Sequence, residues 1–333
     1  MHERPVRWGI CGCGNIAGRM ARAIPHVPGS HLHAVAARDR QRAASFAAEH
    51  GHPLAYGTYQ ELMDDPQVDV VYIATVHNFH YPLIIQALNA GKAVVCEKPL
   101  VMTEAQARSA VDLARSKNCL LIEALWIRFQ PAVMQLHEVI KAGRLGSINT
   151  VRSDFSVGGS GEPRDRKHDV STAGGALLDL GVYPLALAQD FLGPIAEIVS
   201  LGELGDTGVD ENVGFVTRHV GGGLGIGTAG LRGVGTIALE IYGSHALAVS
   251  SCCCPPKEIT VRTGWTNQIL DVLKDDSGVD GFVHTVRETV RCLNEGLIES
   301  PRITHAQSIE LAHFLEMTWL KIGVGYREKD LLV

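Results

Sequence analysis

Along the first 123 residues, short apolar runs alternate with longer stretches whose apolar positions recur every three or four residues. The runs at 6–11, 32–37, 70–75, 93–96 and 119–123 are rich in Val, Ile, Leu and Ala, the pattern of buried strands. The stretches at 16–24, 41–50, 59–64, 81–90 and 103–116 read as the helices between them. Thr103 followed by Gln106 marks a capped helix start, and Gly91 offers a left-handed helix end. Strand–helix alternation of this kind predicts an α/β fold, a doubly wound parallel sheet with ligands at the carboxyl ends of its strands.

Beyond residue 125 the rhythm changes. A helix over 132–142 leads through Gly143 and Gly146 to a strand at 148–155, then to a polar, glycine-rich loop over 158–173. A second helix runs from about 175 to 192, bent near Gly181 and Pro184. Residues 195–263 read as successive strands with glycine-rich turns, an open and mostly antiparallel sheet closed by helices at 281–295 and 305–322. The stretch GGGLGIGTAGLRGVG at 221–235 alternates apolar residues with glycine and has no helix after it, so it reads as strand and hairpin rather than a phosphate loop. The expected division is a nucleotide-binding domain at 1–124 and a substrate and dimerisation domain at 125–333.

Length and composition narrow the class. A chain of 333 residues exceeds one ordinary core and fits two domains. A net charge of −6 excludes a broad basic surface for nucleic acid. No apolar run is expected to be long enough to span a bilayer, and MHERPVRWGICGCG enters a strand almost at once without a signal segment, so a cytoplasmic protein is expected. Eight cysteines lack a regular framework and read as reduced thiols; Cys252, Cys253 and Cys254 are too close together for one metal site, so no metal is expected.

The chemistry gathers at strand ends. Gly12-Cys13-Gly14-Asn15-Ile16-Ala17-Gly18 follows the first strand and opens the first helix. Gly12 and Gly14 permit a tight turn under a pyrophosphate, and Asn15 and Ile16 begin the helix whose N-terminus would face it. Arg38 falls 20 residues after Gly18, where an acid selects NAD and an arginine accommodates the 2′-phosphate of NADP; Arg42 can share that phosphate, and Asp39 dissents. Thr75, His77, Asn78 and His80 end the next strand. The two histidines lack a carboxylate or thiol to complete a metal set and read as lining a nicotinamide pocket.

Glu97, Lys98 and Pro99 close a core strand on the same side. A lysine there is not placed for packing, since burying it unpaired is expensive. Further on, GGALLDLGVYPL places Asp179 and Tyr183 four residues apart on one helix, with Asp179 interrupting an apolar surface.

These motifs, with AARD, AYGTYQEL, AGKAVVCEKP, EALWIRFQP and LGSI in the same order, resemble the Gfo/Idh/MocA oxidoreductases over nearly the whole chain. The likeness is greatest to the branch of dimeric dihydrodiol and NADP-dependent D-xylose dehydrogenases. The resemblance implies a Rossmann domain followed by an α/β domain whose open sheet faces a second subunit, giving a homodimer or higher homo-oligomer. It implies Lys98 as catalytic lysine with Pro99 shaping its loop, and Asp179 and Tyr183 as acid–base partners. Arg38 and Arg42 would hold the 2′-phosphate, with Glu97 and Lys98 on the cofactor side, and Trp126 and Phe155 beside Tyr183 would wall a pocket for a sugar ring or cyclic diol. Many family members carry histidine where Tyr183 stands.

Tyrosine ordinarily titrates near pH 10, so a base made from Tyr183 needs a neighbouring cation such as Lys98, with Asp179 to balance it. The expected activity is hydride transfer between a secondary hydroxyl and NADP. A nucleotide-binding regulator, or a lyase or hydrolase using the nicotinamide transiently, would be the other uses of such a chain.

Overall fold

The computed structural model describes residues 5–158 and 166–326. The expected loop over 158–173 therefore lies partly outside the described residues. Two compact units form, each built around its own sheet.

The first unit takes the described residues up to Ala124 and, in addition, Val279–Ser308. Its strands are β1 (Val6–Cys11), β2 (Ser30–Ala36), β3 (Leu54–Tyr56), β4 (Val70–Ile73), β5 (Ala93–Cys96) and β6 (Leu121–Glu123). All neighbours run parallel, in the order β3-β2-β1-β4-β5-β6. Every residue of β4, β5 and β6 is buried, which is why these strands read as unbroken apolar runs rather than as alternation. The helices α1 (Asn15–Ala23), α2 (Arg40–Glu49), α3 (Tyr59–Asp64), α4 (His80–Asn89) and α5 (Glu104–Lys117) fall within a residue or so of the stretches expected for them. Thr103 caps α5 by accepting the Gln106 N–H at 3.2 Å, and Gly91 takes the left-handed conformation after α4. The short strand β3 has no counterpart among the expected strands, since three residues carry no period.

Chain order reverses between β1 and β4, so the crevice of this sheet opens at their carboxyl ends. Gly12 stands there at φ +106°, and a Cβ on it would lie 2.5 Å from the Ala74 carbonyl oxygen. Only glycine lets β1 end so close to β4.

The second unit holds Leu125–Gly278 and the described residues from Ile309 on. Its helices are α6 (Pro131–Lys141), α7 (Val182–Leu192) and, from Ile309 on, the helix His305–Ile322, and its strands are β7 (Ile148–Ser156), β8 (Ile195–Leu204), β9 (Asp210–His219), β10 (Leu224–Gly230), β11 (Leu239–Gly243), β12 (Leu247–Ser250), β13 (Glu258–Arg262) and β14 (Ile269–Lys274). They form one sheet in the order β14-β13-β12-β11-β7-β10-β9-β8, antiparallel except for the β7–β10 pair. Residues 224–230 are thus a strand, as the alternation of apolar residues and glycine predicts. The other face of this sheet exposes Val199, Leu201, Val216, Ile226, Ile269 and Val272.

Two sequence expectations need revision. Helix α8 (Phe282–Asn294) belongs with the first unit, because Arg19 pairs with Asp280 at 3.0 Å and the Leu121 N–H reaches the Ile298 carbonyl at 3.0 Å. A second domain running unbroken over 125–333 therefore does not describe the chain. By length and composition Val170–Leu192 could cross a membrane, which corrects the expectation that no apolar run is long enough. Its most apolar window is 83% buried inside the protein, the pattern of a core helix.

Candidate active site

At the crevice of the first sheet, Gly14 forms the N-cap of α1 with no side-chain oxygen on the first-turn N–H groups and no acid in that turn. No described atom lies within 4 Å of where a Gly14 side chain would begin. Asn15 and Ile16 follow as the first two residues of the helix. Such an end, with free N–H groups and open space, fits a phosphate. Beside it, the hydroxyl of Thr75 is buried with no hydrogen-bond partner among the described residues, a donor suited to a bound cofactor.

Arg38 is exposed just beyond β2, its guanidinium 5.2 Å from the centre of the Phe79 ring. Arg42 lies one turn into α2 and donates to the Cys13 carbonyl at 3.3 Å, over the glycine turn itself. Asp39, the dissenting acid, is occupied as the N-cap of α2, accepting from the N–H groups of Gln41 at 2.8 Å and Arg42 at 3.4 Å. Its carboxylate serves the helix, leaving the two arginines to set the charge at this end.

The EKP turn is held on every side. Glu97 and Lys98 are both buried, and the Lys98–Pro99 bond is cis. The Tyr72 hydroxyl donates to Glu97, and the Lys98 N–H reaches the other Glu97 oxygen at 3.3 Å. His80, expected to line a pocket, braces this turn: Nδ1 meets the Pro99 carbonyl at 2.9 Å and Nε2 the Thr75 carbonyl at 3.3 Å. His77 is buried with its ring edge-on to His80 at 5.7 Å. Glu123, which sequence reading quoted only within a motif, accepts the Leu100 N–H at 2.9 Å and the Ser308 hydroxyl at 2.7 Å. Leaving that N–H unsatisfied would cost about 1–3 kcal/mol, so Glu123 fixes the far side of the lysine turn.

In the second unit, the helix expected from about 175 begins as a π-helical turn, Leu177–Gly181, and becomes regular in α7. Pro184 gives the reason: it has no N–H for the carbonyl four residues back, and its ring would crowd that carbonyl. The Val182 N–H bonds Leu177, five residues back, and the turn widens.

Asp179 lies in this widened turn, 6% exposed in its side chain, with Arg166 3.0 Å from its carboxylate. Tyr183 follows at the start of α7 and is buried. Its hydroxyl accepts the indole N–H of Trp126 at 3.1 Å, and its ring lies 5.4 Å from that of Phe155. Trp126 is itself held, because Arg128 two residues on donates to the Ala186 carbonyl at 2.9 Å and to Gln189 at 2.7 Å on α7. The structure thus brings Trp126, Phe155 and Tyr183 together within one unit. Sequence reading missed Arg166, whose only sequence signal is a position in a polar loop.

Residues 6–125 match a family described as an oxidoreductase family with an NAD-binding Rossmann fold, and residues 133–249 match the GFO/IDH/MocA C-terminal domain. The chain is 36% identical over 330 residues to trans-1,2-dihydrobenzene-1,2-diol dehydrogenase of Mus musculus, covering 96% of this chain and 98% of that protein. The Homo sapiens enzyme of the same name is 35% identical with the same coverage. Among solved structures, KijD10, a 3-ketoreductase from Actinomadura kijaniata in complex with NADP and TDP-benzene, has a TM-score of 0.85 at 27% identity, covering 96% of this chain and 98% of that one. An aldose-aldose oxidoreductase from Caulobacter crescentus shares the fold with a TM-score of 0.85 at 20% identity, over 96% and 98% of the two chains.

Proposed function

The chain belongs to the Gfo/Idh/MocA family of oxidoreductases, and from that premise we propose that it is an NADP-dependent dehydrogenase of a secondary hydroxyl on a sugar or cyclic trans-diol. The observation that carries this reading is the buried Tyr183 hydroxyl, held by the Trp126 N–H and flanked by the Phe155 ring. When bound, the nicotinamide exchanges a hydride with the substrate carbon. The protein's part is to position the alcohol and move its proton.

Tyr183 is the residue proposed to take that proton. Forming a phenolate at neutral pH from an ordinary tyrosine costs about 4 kcal/mol, so the anion needs support. The Trp126 N–H supplies one favourable hydrogen bond to the oxygen, and Lys98 is proposed to supply the positive charge. Asp179, paired with Arg166 at 3.0 Å, is proposed as the third member of the acid–base set. Trp126 and Phe155 offer flat apolar faces of the kind that pack against a sugar or diol ring. Arg38 and Arg42 support NADP over NAD, since they put two cations and no uncommitted acid at the ribose end. The dihydrodiol in the name of the Mus musculus relative lies within this class.

The enzyme is proposed to act in the cytoplasm, and as a homodimer through the exposed apolar face of the second sheet. The test of the activity is direct. The purified protein is mixed with NADP or NAD and D-xylose, D-glucose or a trans-dihydrodiol, and reduced nicotinamide is followed by absorbance. Turnover with NADP on one substrate class is expected. Tight NADP binding with no turnover on any of them, in either direction, contradicts the reading.

A further inference from the structure

Asp210 opens β9, is fully buried, and has no part in the acid–base set described above. Its Oδ2 accepts the Leu177 N–H at 2.6 Å. Leu177 begins the π-helical turn that carries Asp179 and leads to Tyr183. Helix starts carry N–H groups with no partner in their own helix, and this one is capped by a carboxylate 33 residues away.

A second clamp lies beside the first. The Tyr326 hydroxyl, also buried, donates to the Gly174 carbonyl. Gly175, between the two clamps, has φ +125°, and a Cβ there would sit 2.1 Å from Asp210 Oδ1 and 3.1 Å from the Tyr326 hydroxyl. Gly175 is therefore required by close approach, and its own carbonyl accepts the Asp179 N–H at 3.2 Å. Oδ1 of Asp210 has no partner among the described residues, so the carboxyl spends its hydrogen bonding on the helix start. A buried acid on an apolar sheet is costly unless it serves something, and here the segment it grips carries the proposed acid–base pair.

We infer that Asp210, with Tyr326, is a positioning residue that sets the place of Asp179 and Tyr183 by fixing the start of their helical turn. This rests on the proposed role of Tyr183. A displacement near 1 Å at a reacting group is worth roughly 100-fold in rate, so loosening this start acts on kcat.

The test compares Asp210→Ala, Asp210→Asn, Tyr326→Phe, Tyr183→Phe and the Asp210→Ala/Tyr183→Phe double variant in the full-length enzyme. Turnover, NADP affinity and Tm are recorded for each. Asp210→Ala should lower kcat roughly 10- to 100-fold with NADP affinity unchanged. Asp210→Asn keeps an oxygen for the Leu177 N–H and should restore kcat to within about threefold of wild type. Tyr326→Phe, which keeps the ring and should fold even where the alanine variant does not, should lower kcat several-fold. In the double variant, Asp210→Ala should add little to the loss from Tyr183→Phe, because both act through one group.

Wild-type kcat in Asp210→Ala beside an inactive Tyr183→Phe overturns this inference alone. Equal, additive losses from Asp210→Ala in both backgrounds also overturn it, since they report a general structural role. Near wild-type turnover in Tyr183→Phe overturns both this inference and the catalytic reading beneath it.

Discussion

Arg38 and Asp39 are adjacent, opposite in charge, and separated in role by one backbone fact: Asp39 caps α2. With that carboxylate occupied, exchanging Arg38 for an acid removes a cation and adds a repelling charge where a 2′-phosphate would sit. Arg38→Asp should weaken NADP roughly 10- to 150-fold, the worth of a lost charge-assisted hydrogen bond, while affecting NAD far less; equal NADP affinity by fluorescence titration would remove the assignment. Trp126→Phe keeps an aromatic wall but takes away the N–H given to Tyr183. Its kcat against pH should therefore move toward higher pH, because a phenolate loses one donor that favours it. An unmoved profile would mean that Trp126 serves packing alone. Lys98 and Asp179 stand out in the sequence as charges that interrupt apolar runs, and Tyr183 as the residue four positions along from Asp179. Arg166, Glu123 and Asp210 do not, since their partners lie 13, 185 and 33 residues away and no local pattern pairs them.

At the scale of elements, the strands of the first sheet were readable because burial on both faces makes continuous apolar runs, and helix ends carried their own signals in Thr103 and Gly91. The π-helical turn was only half readable. Gly181 and Pro184 announced a bend, but the widened turn depends on which carbonyl the proline deprives. Asp210 at its base has a thermodynamic signature. Burial pushes its carboxyl up from 3.8 to about 7. Between about pH 4 and pH 7 the unfolded chain has released this proton while the folded one retains it, so raising the pH through that window lowers stability. Above about 7 the folded carboxylate is charged and the full penalty is present. Asp210→Asn removes the effect, and thermal melts should show the variant gaining on wild type, by on the order of a few kcal/mol, as pH rises from about 4 to about 7. A difference between the two that stays flat over this range would show that Asp210 does not titrate there.

At the scale of the whole molecule, length and the change of rhythm after residue 125 suggest two domains, and neither marks Val279–Ser308 as grouping with the first unit. That grouping depends on pairings such as Arg19 with Asp280, 261 residues apart, which leave no local trace. The open face of the second sheet, with Leu201 80% exposed, is the surface proposed to bind a second copy. Wild type should run as a dimer by light scattering and Leu201→Glu should shift toward monomer; a monomeric wild type would refute the interface. The proposed role of Tyr183 is to carry the substrate's proton in an NADP-dependent oxidation. Its most direct measurement is the kcat of Tyr183→Phe at saturating NADP and substrate. A fall of roughly 100-fold or more is expected, with NADP affinity unchanged; turnover close to wild type would contradict that role.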